Sequence, residues 1–338
     1  MKFRNLAATL ATTAAVSLAG GAAWAQDKIR TNSMPYYTGF PIFVADKLGL
    51  YAENGIETEP KYFPSGAPII QAAAAKQWDI TFLGAPPATL AGPKLGLVTI
   101  GFVTEEAGIH QLIGRPDGVA AAKGDANSLK GKQIFVTTVS TGHYMTEGCL
   151  KSMGISLDDV TILPSEQTAT LSAFAAGQGD FAQAWPPQND ALLSQGNEVL
   201  CDGIQAGLSI PSVWIAAPHI IEESPDAVVR WLKATSAAVD WIKEDRDRAA
   251  DMYREFEQFR GFDLDPAVLE KEIDTMFNDL VQAPEMIEKM TASGGEKSYL
   301  AQGYEGVAGF FNRVGRMDDI PDYESLIDPS FLQKAIAE

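Results

Sequence analysis

Short apolar runs and amphipathic segments alternate along the first part of the chain. The runs are typical of buried strands, whereas the segments between them place apolar residues every three or four positions, as helices do. The pattern predicts strand, helix, strand, helix and strand over residues 29–34, 42–48, 56–63, 69–76 and 78–83. This order requires a parallel sheet with helices on its faces.

A second unit of the same order begins near residue 132. Its apolar runs predict strands over residues 133–139, 160–163 and 180–184, separated by two helical segments. The sequence therefore predicts two α/β units of similar architecture.

The two units also share their internal spacing. Thr38-Gly39-Phe40 lies 41 positions before Asp79, and Thr141-Gly142-His143 lies 39 positions before Asp180. Each aspartate begins a strand that ends in Pro-Pro, and each Thr-Gly pair begins a predicted helix. Both units thus place a helix start and a Pro-Pro loop at the carboxyl ends of strands, where open α/β sheets bind ligands.

The chain crosses between the units twice. A predicted strand at 109–114 leads into the second unit and one at 210–217 returns, after which the pattern is helical. Because the late helices should pack on the first unit, we expect two lobes joined by two hinge strands. The expected bounds are 26–110 plus 216–338 for lobe I and 111–215 for lobe II.

Residues 1–25 have the pattern of a secretory signal peptide. Lys2 and Arg4 precede a run rich in Ala, Leu and Val that ends at Ala23-Trp24-Ala25. We therefore expect a mature chain of about 310 residues outside the cytoplasm.

The mature chain is strongly acidic. The full sequence has a formal net charge of −18, and removal of the two basic signal residues lowers it to −20. This charge argues against nucleic acid and anionic membrane surfaces as partners. Cys149 and Cys201 allow either one disulfide or two separately buried thiols. Two cysteines and three histidines show no metal-ligand spacing, so we expect no metal.

The turn at Ser140-Thr141-Gly142 is a candidate anion site. It lies where a buried strand gives way to a helix, whose first N–H groups and dipole suit a phosphate, sulfonate or carboxylate. The alternative is that Ser140 or Thr141 only caps the helix. The stretch by itself leaves both interpretations open.

Further motifs follow in an order that covers almost the whole mature chain. They are Val44-Ala45-Asp46-Lys47-Leu48-Gly49-Leu50-Tyr51 followed by Gly55-Ile56-Glu57, the Thr141-Gly142 turn, Ala175-Ala176-Gly177-Gln178-Gly179-Asp180-Phe181-Ala182 leading to Trp185-Pro186, and Ser224-Pro225-Asp226. Together they resemble the periplasmic binding proteins of the nitrate, alkanesulfonate and taurine importer family, whose broader relatives include pyrimidine-precursor binding proteins.

The resemblance implies a type II periplasmic binding protein: an α/β fold of two lobes, each a mainly parallel sheet flanked by helices, that close around a small organic ligand. It implies a periplasmic component of an ABC importer that serves a membrane permease. We expect a monomer with no cofactor and no catalytic activity. The ligand-binding residues carried over are Tyr36, Tyr37, Thr38, Gly39, Gly84, Ala85, Pro86, Ser140, Thr141, Gly142, His143 and Trp185, with Trp214 added near the hinge.

Several of these residues have an ordinary structural alternative. The aromatic residues can form a cage for the organic part of a ligand or simply pack in the core. His143 can contact the anion or face solvent. Glu105, Glu106 or Asp190 can pair with a ligand amine or be solvated. The four loops contain no Arg, so the bidentate clamp expected for a phosphate or dicarboxylate is not evident, and a sulfonate fits better.

Three functions follow from these alternatives. The leading hypothesis is capture of a small sulfonate, taurine-like or an alkanesulfonate. The second keeps the fold but places a pyrimidine or other planar ring between Tyr37 and Trp185. The third is an enzyme similar to a thiamine-pyrimidine synthase. That enzyme family carries a cluster of cysteines, which two cysteines do not match, and Ser140 and His143 lack a third orienting group.

Overall fold

The computed structural model of the chain describes residues 26–261 and 264–337. The predicted signal peptide at 1–25 lies outside these residues. Within the described ranges, no helix combines the length and apolar character needed to cross a bilayer.

Strands and α-helices are numbered in chain order over the described residues. The strands are β1 (Asp27–Lys28), β2 (Thr31–Ser33), β3 (Ile56–Glu57), β4 (Lys61–Tyr62), β5 (Ile80–Gly84), β6 (Val98–Glu105), β7 (Gln111–Gly114), β8 (Gln133–Val136), β9 (Thr161–Pro164), β10 (Phe181–Ala184), β11 (Glu198–Asp202) and β12 (Pro211–Ala216). The helices are α1 (Phe40–Lys47), α2 (Leu50–Glu53), α3 (Gly66–Ala74), α4 (Ala85–Leu95), α5 (Pro116–Gly124), α6 (Thr141–Ser152), α7 (Gln167–Ala175), α8 (Gln188–Ser194), α9 (Pro218–Glu223), α10 (Pro225–Glu244), α11 (Arg246–Arg260), α12 (Pro266–Asp279), α13 (Ala283–Met290), α14 (Tyr299–Arg313) and α15 (Ser330–Ala337).

Two five-stranded sheets form the two lobes. Lobe I has the order β4-β2-β5-β12-β6 and lobe II the order β11-β7-β10-β8-β9, while β1 and β3 form a separate parallel pair. In each large sheet four strands run in one direction, and only β12 or β7 runs in the other. The predicted fold class, two mainly parallel sheets flanked by helices, is confirmed.

The antiparallel strand of each sheet is the first one after a crossing between lobes. The chain leaves β6 and enters β7 through residues 106–110, and returns from β11 to β12 through residues 203–210. The two crossings are hydrogen-bonded to each other, with the Glu106 N–H donating to the Ile210 carbonyl at 2.8 Å and the Gly203 N–H to the Ala107 carbonyl at 2.9 Å. These paired crossings form the hinge.

The strand pairing shifts the lobe bounds expected from the sequence. The expected end of lobe II at residue 215 falls inside β12, which pairs with β5 and β6 in the sheet of lobe I. We therefore propose that the bounds lie within the two crossings instead. The shift arises because a strand that enters from a crossing shows the same apolar pattern whichever sheet it joins.

Asp79 and Asp180, which occupy matching positions in the two units, have the same structural role. Asp79 accepts the backbone N–H of Arg30 at 2.6 Å just before β2, and Asp180 accepts the N–H of Gln133 at 2.9 Å at the start of β8. Arg30 also bonds Asp79 through its guanidinium, at 2.5 Å from Nη2, and Lys132 lies 3.3 Å from Asp180. Each aspartate thus fixes the start of the strand next to its own.

The late helices pack on lobe I. Trp231 of α10 meets Trp214 of β12 edge to face, with ring centroids 5.6 Å apart, and both side chains are fully buried. The Trp231 indole N–H donates to Thr31 of β2 at 3.0 Å. Helix α10 therefore covers one face of the sheet, which makes lobe I discontinuous in sequence.

The two cysteines form a disulfide. Cys149 of α6 and Cys201 of β11 have Cα atoms 5.9 Å apart and are joined through their sulfur atoms. Of the two alternatives left open by the sequence, the structure therefore contains the disulfide, which lies within lobe II.

Replacing Asp79 by Asn should destabilise the protein more than replacing Asp180. Burial would raise the pKa of Asp79, but hydrogen bonds from Arg30 and His219 outweigh burial and hold the pKa below its ordinary value. At pH values above the ordinary pKa of an aspartate, ionised Asp79 therefore stabilises the folded protein. This contribution is lost as the pH falls through the lowered pKa of Asp79 in the folded state. We expect Asp79→Asn to cost about 2–3 kcal/mol at pH 7, as measured by urea unfolding between pH 2 and 7.

Asp180→Asn is the matched control. The Asp180 side chain is 39% exposed, whereas that of Asp79 is 5% exposed. Water can therefore replace most of the carboxylate interactions that Asp180→Asn removes. An equal loss for both variants would contradict the assignment.

Candidate functional site

A cavity of about 40 Å³ lies between the lobes. A single water molecule needs roughly 10–15 Å³, so the closed form suits a small ligand. The lining residues are Met34, Tyr36, Tyr37, Thr38, Ser65, Gly66, Phe82, Gly84, Pro87, Glu106, Ile109, His110, Ser140, Thr141, Trp185 and Pro186. None of them is Arg or Lys.

Four helices begin at this cavity. A short 3₁₀ turn at Tyr37–Gly39 leads into α1, while Ser65, Gly84 and Ser140 are the N-cap residues of α3, α4 and α6. Three of the helices follow parallel strands of lobe I and one follows β8 of lobe II. The positive ends of four helix dipoles therefore point to the same small volume.

The Pro-Pro loop predicted at the end of the strand that begins with Asp79 is wrong, because α4 begins at Ala85. Pro86 and Pro87 lie in its first turn, where proline is well tolerated because those N–H groups have no intrahelical partner. The Pro-Pro signal therefore marked a helix start.

The start of α6 contains a helix cap and, within the described residues, two N–H groups without a partner. The Ser140 hydroxyl accepts the His143 N–H at 3.3 Å and donates to the Thr137 carbonyl at 2.6 Å, so this side chain is a helix cap. The N–H groups of Thr141 and Gly142 are the first two of the helix and have no acceptor among the described residues. The backbone here remains free to bind an anion.

An acidic residue from the first crossing completes the cavity. Glu106 and His110 are both buried, and Oε2 of Glu106 lies 3.3 Å from Nε2 of His110. Nδ1 of His110 and the Tyr37 hydroxyl have no hydrogen-bond partner in the described part of the chain. A ligand therefore meets a carboxylate and two unused polar atoms beside the helix starts.

The other two acidic candidates are occupied elsewhere. Glu105 fixes the hinge, because its carboxylate accepts the Ile210 N–H at 2.6 Å and the Ser209 hydroxyl at 3.2 Å. Asp190 pairs with Lys271 at 2.5 Å. Of the three, only Glu106 lines the cavity.

Aromatic rings from both lobes meet at the cavity. Tyr36 of lobe I packs edge to face on Trp185 of lobe II, with centroids 5.8 Å apart, and Trp185 packs on His110 at 5.4 Å. Burial raises the pKa of Tyr36 to about 12, and its hydroxyl donates to the Pro64 carbonyl at 3.0 Å. The ring that faces Trp185 is thus Tyr36, where the sequence suggested Tyr37.

Seven of the thirteen predicted site residues line the cavity. They are Tyr36, Tyr37, Thr38, Gly84, Ser140, Thr141 and Trp185. The other six do not, and they are Gly39, Ala85, Pro86, Gly142, His143 and Trp214.

The glycines outside the cavity are needed for packing. A Cβ on Gly39 would lie 2.2 Å from the Met34 carbonyl oxygen, and one on Gly142 would lie 1.9 Å from the Gln183 side chain. Trp214 is buried against Trp231. These residues therefore contribute to packing outside the cavity lining.

His143 faces away from the cavity. Its ring packs edge to face on Phe310 at 5.1 Å, and its Nδ1 accepts the Val139 N–H at 3.4 Å. Burial and the nearby Arg316 lower its pKa to about 4. The ring is therefore neutral at neutral pH and adds no charge for an anion.

Sequence reasoning missed several lining residues, including Ser65, Gly66, Ile109 and His110. Ser65-Gly66 opens a helix as Ser140-Thr141 does, and this local likeness was the available signal. His110 lies four positions after Glu106, but no local pattern shows that the crossing borders the cavity.

The lobes contact each other around the cavity. A Cβ on Gly84 of lobe I would lie 2.4 Å from Oγ1 of Thr141 in lobe II. The Ser65 hydroxyl donates to Glu166 across the cleft at 3.3 Å. The structure is therefore the closed form.

Two α/β lobes that close over a small cavity define a two-lobed binding protein of the type II periplasmic class. The chain belongs to the NMT1/THI5 like family, whose model matches residues 36–249. The family resemblance inferred from the sequence motifs is confirmed.

Curated relatives and solved structures agree with this assignment. A Bacillus subtilis protein named for aliphatic sulfonate binding is 28% identical over 306 residues, which cover 88% of this chain and 85% of that protein. The taurine-binding periplasmic protein of Escherichia coli is 28% identical over 204 residues, covering 57% and 60%.

Among solved structures, the alkanesulfonate-binding protein SsuA of Xanthomonas axonopodis bound to MOPS has a TM-score of 0.72 at 20% identity, covering 89% of this chain and 98% of that one. The desulfurization enzyme DSZB has a TM-score of 0.66 at 15% identity, covering 92% and 99%. These structures share the fold.

Replacing Gly84 by Val should prevent full closure. The added side chain would occupy the space that Thr141 fills in the closed form, so we expect a larger radius of gyration by small-angle X-ray scattering. Gly124→Val is the control, because a Cβ there meets no atom within 4 Å. If Gly84→Val left the scattering curve unchanged in a folded protein, this contact would not limit closure.

Proposed function

We propose that the protein is the extracytoplasmic ligand-binding component of an ABC importer and captures a small aminosulfonate such as taurine. The observation that carries this proposal is the cavity itself, where four helix starts surround a space that also contains the Glu106 carboxylate. The helix starts suit the sulfonate and Glu106 suits the ammonium group.

The charge balance favours a zwitterion over a simple anion. Among the described residues, the cavity lining contains no Arg or Lys, so a buried alkanesulfonate or nitrate would meet Glu106 with only the His110 imidazole, 3.3 Å from its carboxylate, to offset the repulsion. An aminosulfonate carries its own cation, which can pair with Glu106 while the sulfonate accepts N–H groups of α6. The small volume also favours a short chain between the two charged groups.

The relatives support the broader part of this proposal. Those described above are named for the binding of aliphatic sulfonates and of taurine, and the permease that such binding proteins serve is the expected partner. A periplasmic location of the mature protein is part of the proposal, and the predicted signal peptide and the name of the Escherichia coli relative support it. The expectation of a monomer remains a prediction.

We propose no catalytic role. Both cysteines are in the disulfide, so neither supplies a thiol. The Ser140 hydroxyl donates to a backbone carbonyl, and His143 Nδ1 bonds the Val139 N–H. Ser140 and His143 therefore do not form a nucleophile and base pair.

A planar amino-heterocycle is the second candidate. Glu106 can pair with an aminopyrimidine edge, and Tyr36 and Trp185 supply ring surfaces. This candidate shares Glu106 with the first but makes no use of the helix starts.

Exchange of Glu106 for Gln should change the ligand preference. Isothermal titration calorimetry with taurine, ethanesulfonate and 4-amino-2-methylpyrimidine tests this. We expect the wild-type protein to bind taurine best, and Glu106→Gln to weaken taurine about 10–100-fold because a charge-assisted bond is lost. The same change should strengthen ethanesulfonate, which lacks the ammonium group.

Glu53→Gln, an exposed carboxylate on α2, is the charge-matched control and should leave all three affinities unchanged. Binding of the pyrimidine alone would favour the second candidate. Tighter wild-type binding of ethanesulfonate than of taurine would contradict the proposed role of Glu106.

A further inference from the structure

Two ion pairs join the lobes away from the cavity lining. Lys271 of α12 contacts Asp190 of α8, with Nζ 2.5 Å from Oδ1. Arg313 of α14 contacts Glu147 of α6 through two nitrogen atoms, at 2.8 and 3.0 Å. We refer to Lys271–Asp190 and Arg313–Glu147 as the closure pairs.

The closure pairs have the same polarity and the same asymmetry in burial. In each pair lobe I supplies the base and lobe II the acid. The acid side chains are 6% and 11% exposed, whereas the bases are 57% and 44% exposed. In the closed form the two carboxylates are therefore buried, while the cations remain in contact with water.

Asp190 also faces another buried acid. Glu272 follows Lys271 on α12 and pairs with Arg260, whose Nη1 donates to the Pro35 carbonyl at 3.0 Å. Burial raises the pKa of Glu272, and the charge of Asp190 raises it further. Lys271 thus supplies a cation to Asp190 in a region where the neighbouring acid, Glu272, is already paired with Arg260.

We propose that Lys271 and Arg313 are positioning residues that set ligand affinity without contacting ligand, because they neutralise two carboxylates that are buried in the closed form. The role concerns the equilibrium between open and closed forms. It therefore goes beyond the proposed function and does not depend on which ligand the cavity binds.

The asymmetry in burial makes the effect of mutation asymmetric. Without Lys271, Asp190 is desolvated in the closed form with no partner, so the open form is favoured. Without the charge of Asp190, Lys271 only returns to water. Removing Lys271 should thus shift the equilibrium toward the open form more than removing the charge of Asp190. Adding Asp190→Asn to Lys271→Ala should restore part of the closed population.

The test measures closure without any ligand. Spin labels on Ala121→Cys in lobe II and Gln333→Cys in lobe I, both at exposed positions, report the distance between lobes by double electron–electron resonance. The variants are Lys271→Ala, Asp190→Asn and their combination, with Arg313→Ala, Glu147→Gln and their combination as a parallel set. Lys123→Ala, an exposed lysine of α5, controls for lost charge.

We expect the wild-type protein to populate the short distance, and Lys271→Ala to lower the ratio of closed to open forms about tenfold. Asp190→Asn should lower it only about two- to threefold, and the double variant should match Asp190→Asn. Urea unfolding of each variant shows whether the lobes remain folded.

Three results would overturn the proposal. They are a wild-type protein without the short distance, a folded Lys271→Ala variant with the wild-type distribution, and a double variant no better closed than Lys271→Ala. Because no ligand is added, failure of the sulfonate assignment would not affect these measurements.

Discussion

The direction of the strands determines where a ligand can bind in this protein. Four of the five strands in each sheet run the same way, so their carboxyl ends and the helices that follow them share one edge. The paired crossings bring these two edges face to face. The resulting cavity is lined by helix starts, whose backbone dipoles contribute partial positive charge.

This backbone potential is important in so acidic a chain. The formal net charge of −18 disfavours anions over most of the surface, and the cavity lining contains no Arg or Lys among the described residues to reverse that effect. Glu106 adds another negative charge inside. A zwitterionic ligand would avoid this repulsion, because its anionic end could meet the helix starts and its cationic end Glu106. The whole molecule would bring no net charge into the cleft.

The sequence predicted what depends on local pattern. Both Thr-Gly turns begin helices, as expected, because strand and helix periodicities are local properties of the chain. The sequence did not predict in which direction a side chain points from its helix. His143 is two positions from Thr141, yet it faces Phe310 in the other lobe instead of the cavity.

Features that depend on distant pairing were beyond the sequence. Glu105 and Glu106 are neighbours, but the hydrogen bonds of the return crossing direct one to the hinge and leave the other at the cavity. The pairing of β12 was beyond the sequence for the same reason, since nothing in its composition shows that it inserts between β5 and β6.

The central place of β12 has a consequence for synthesis. All strands of lobe II lie within residues 111–202, so that sheet can form as soon as this segment is available. The sheet of lobe I cannot, because β5 and β6 are joined only through β12, and both expose an unpaired edge until residue 216 has emerged. The first lobe in the chain is thus the second to be completed, and it is completed on a lobe II that can already be folded.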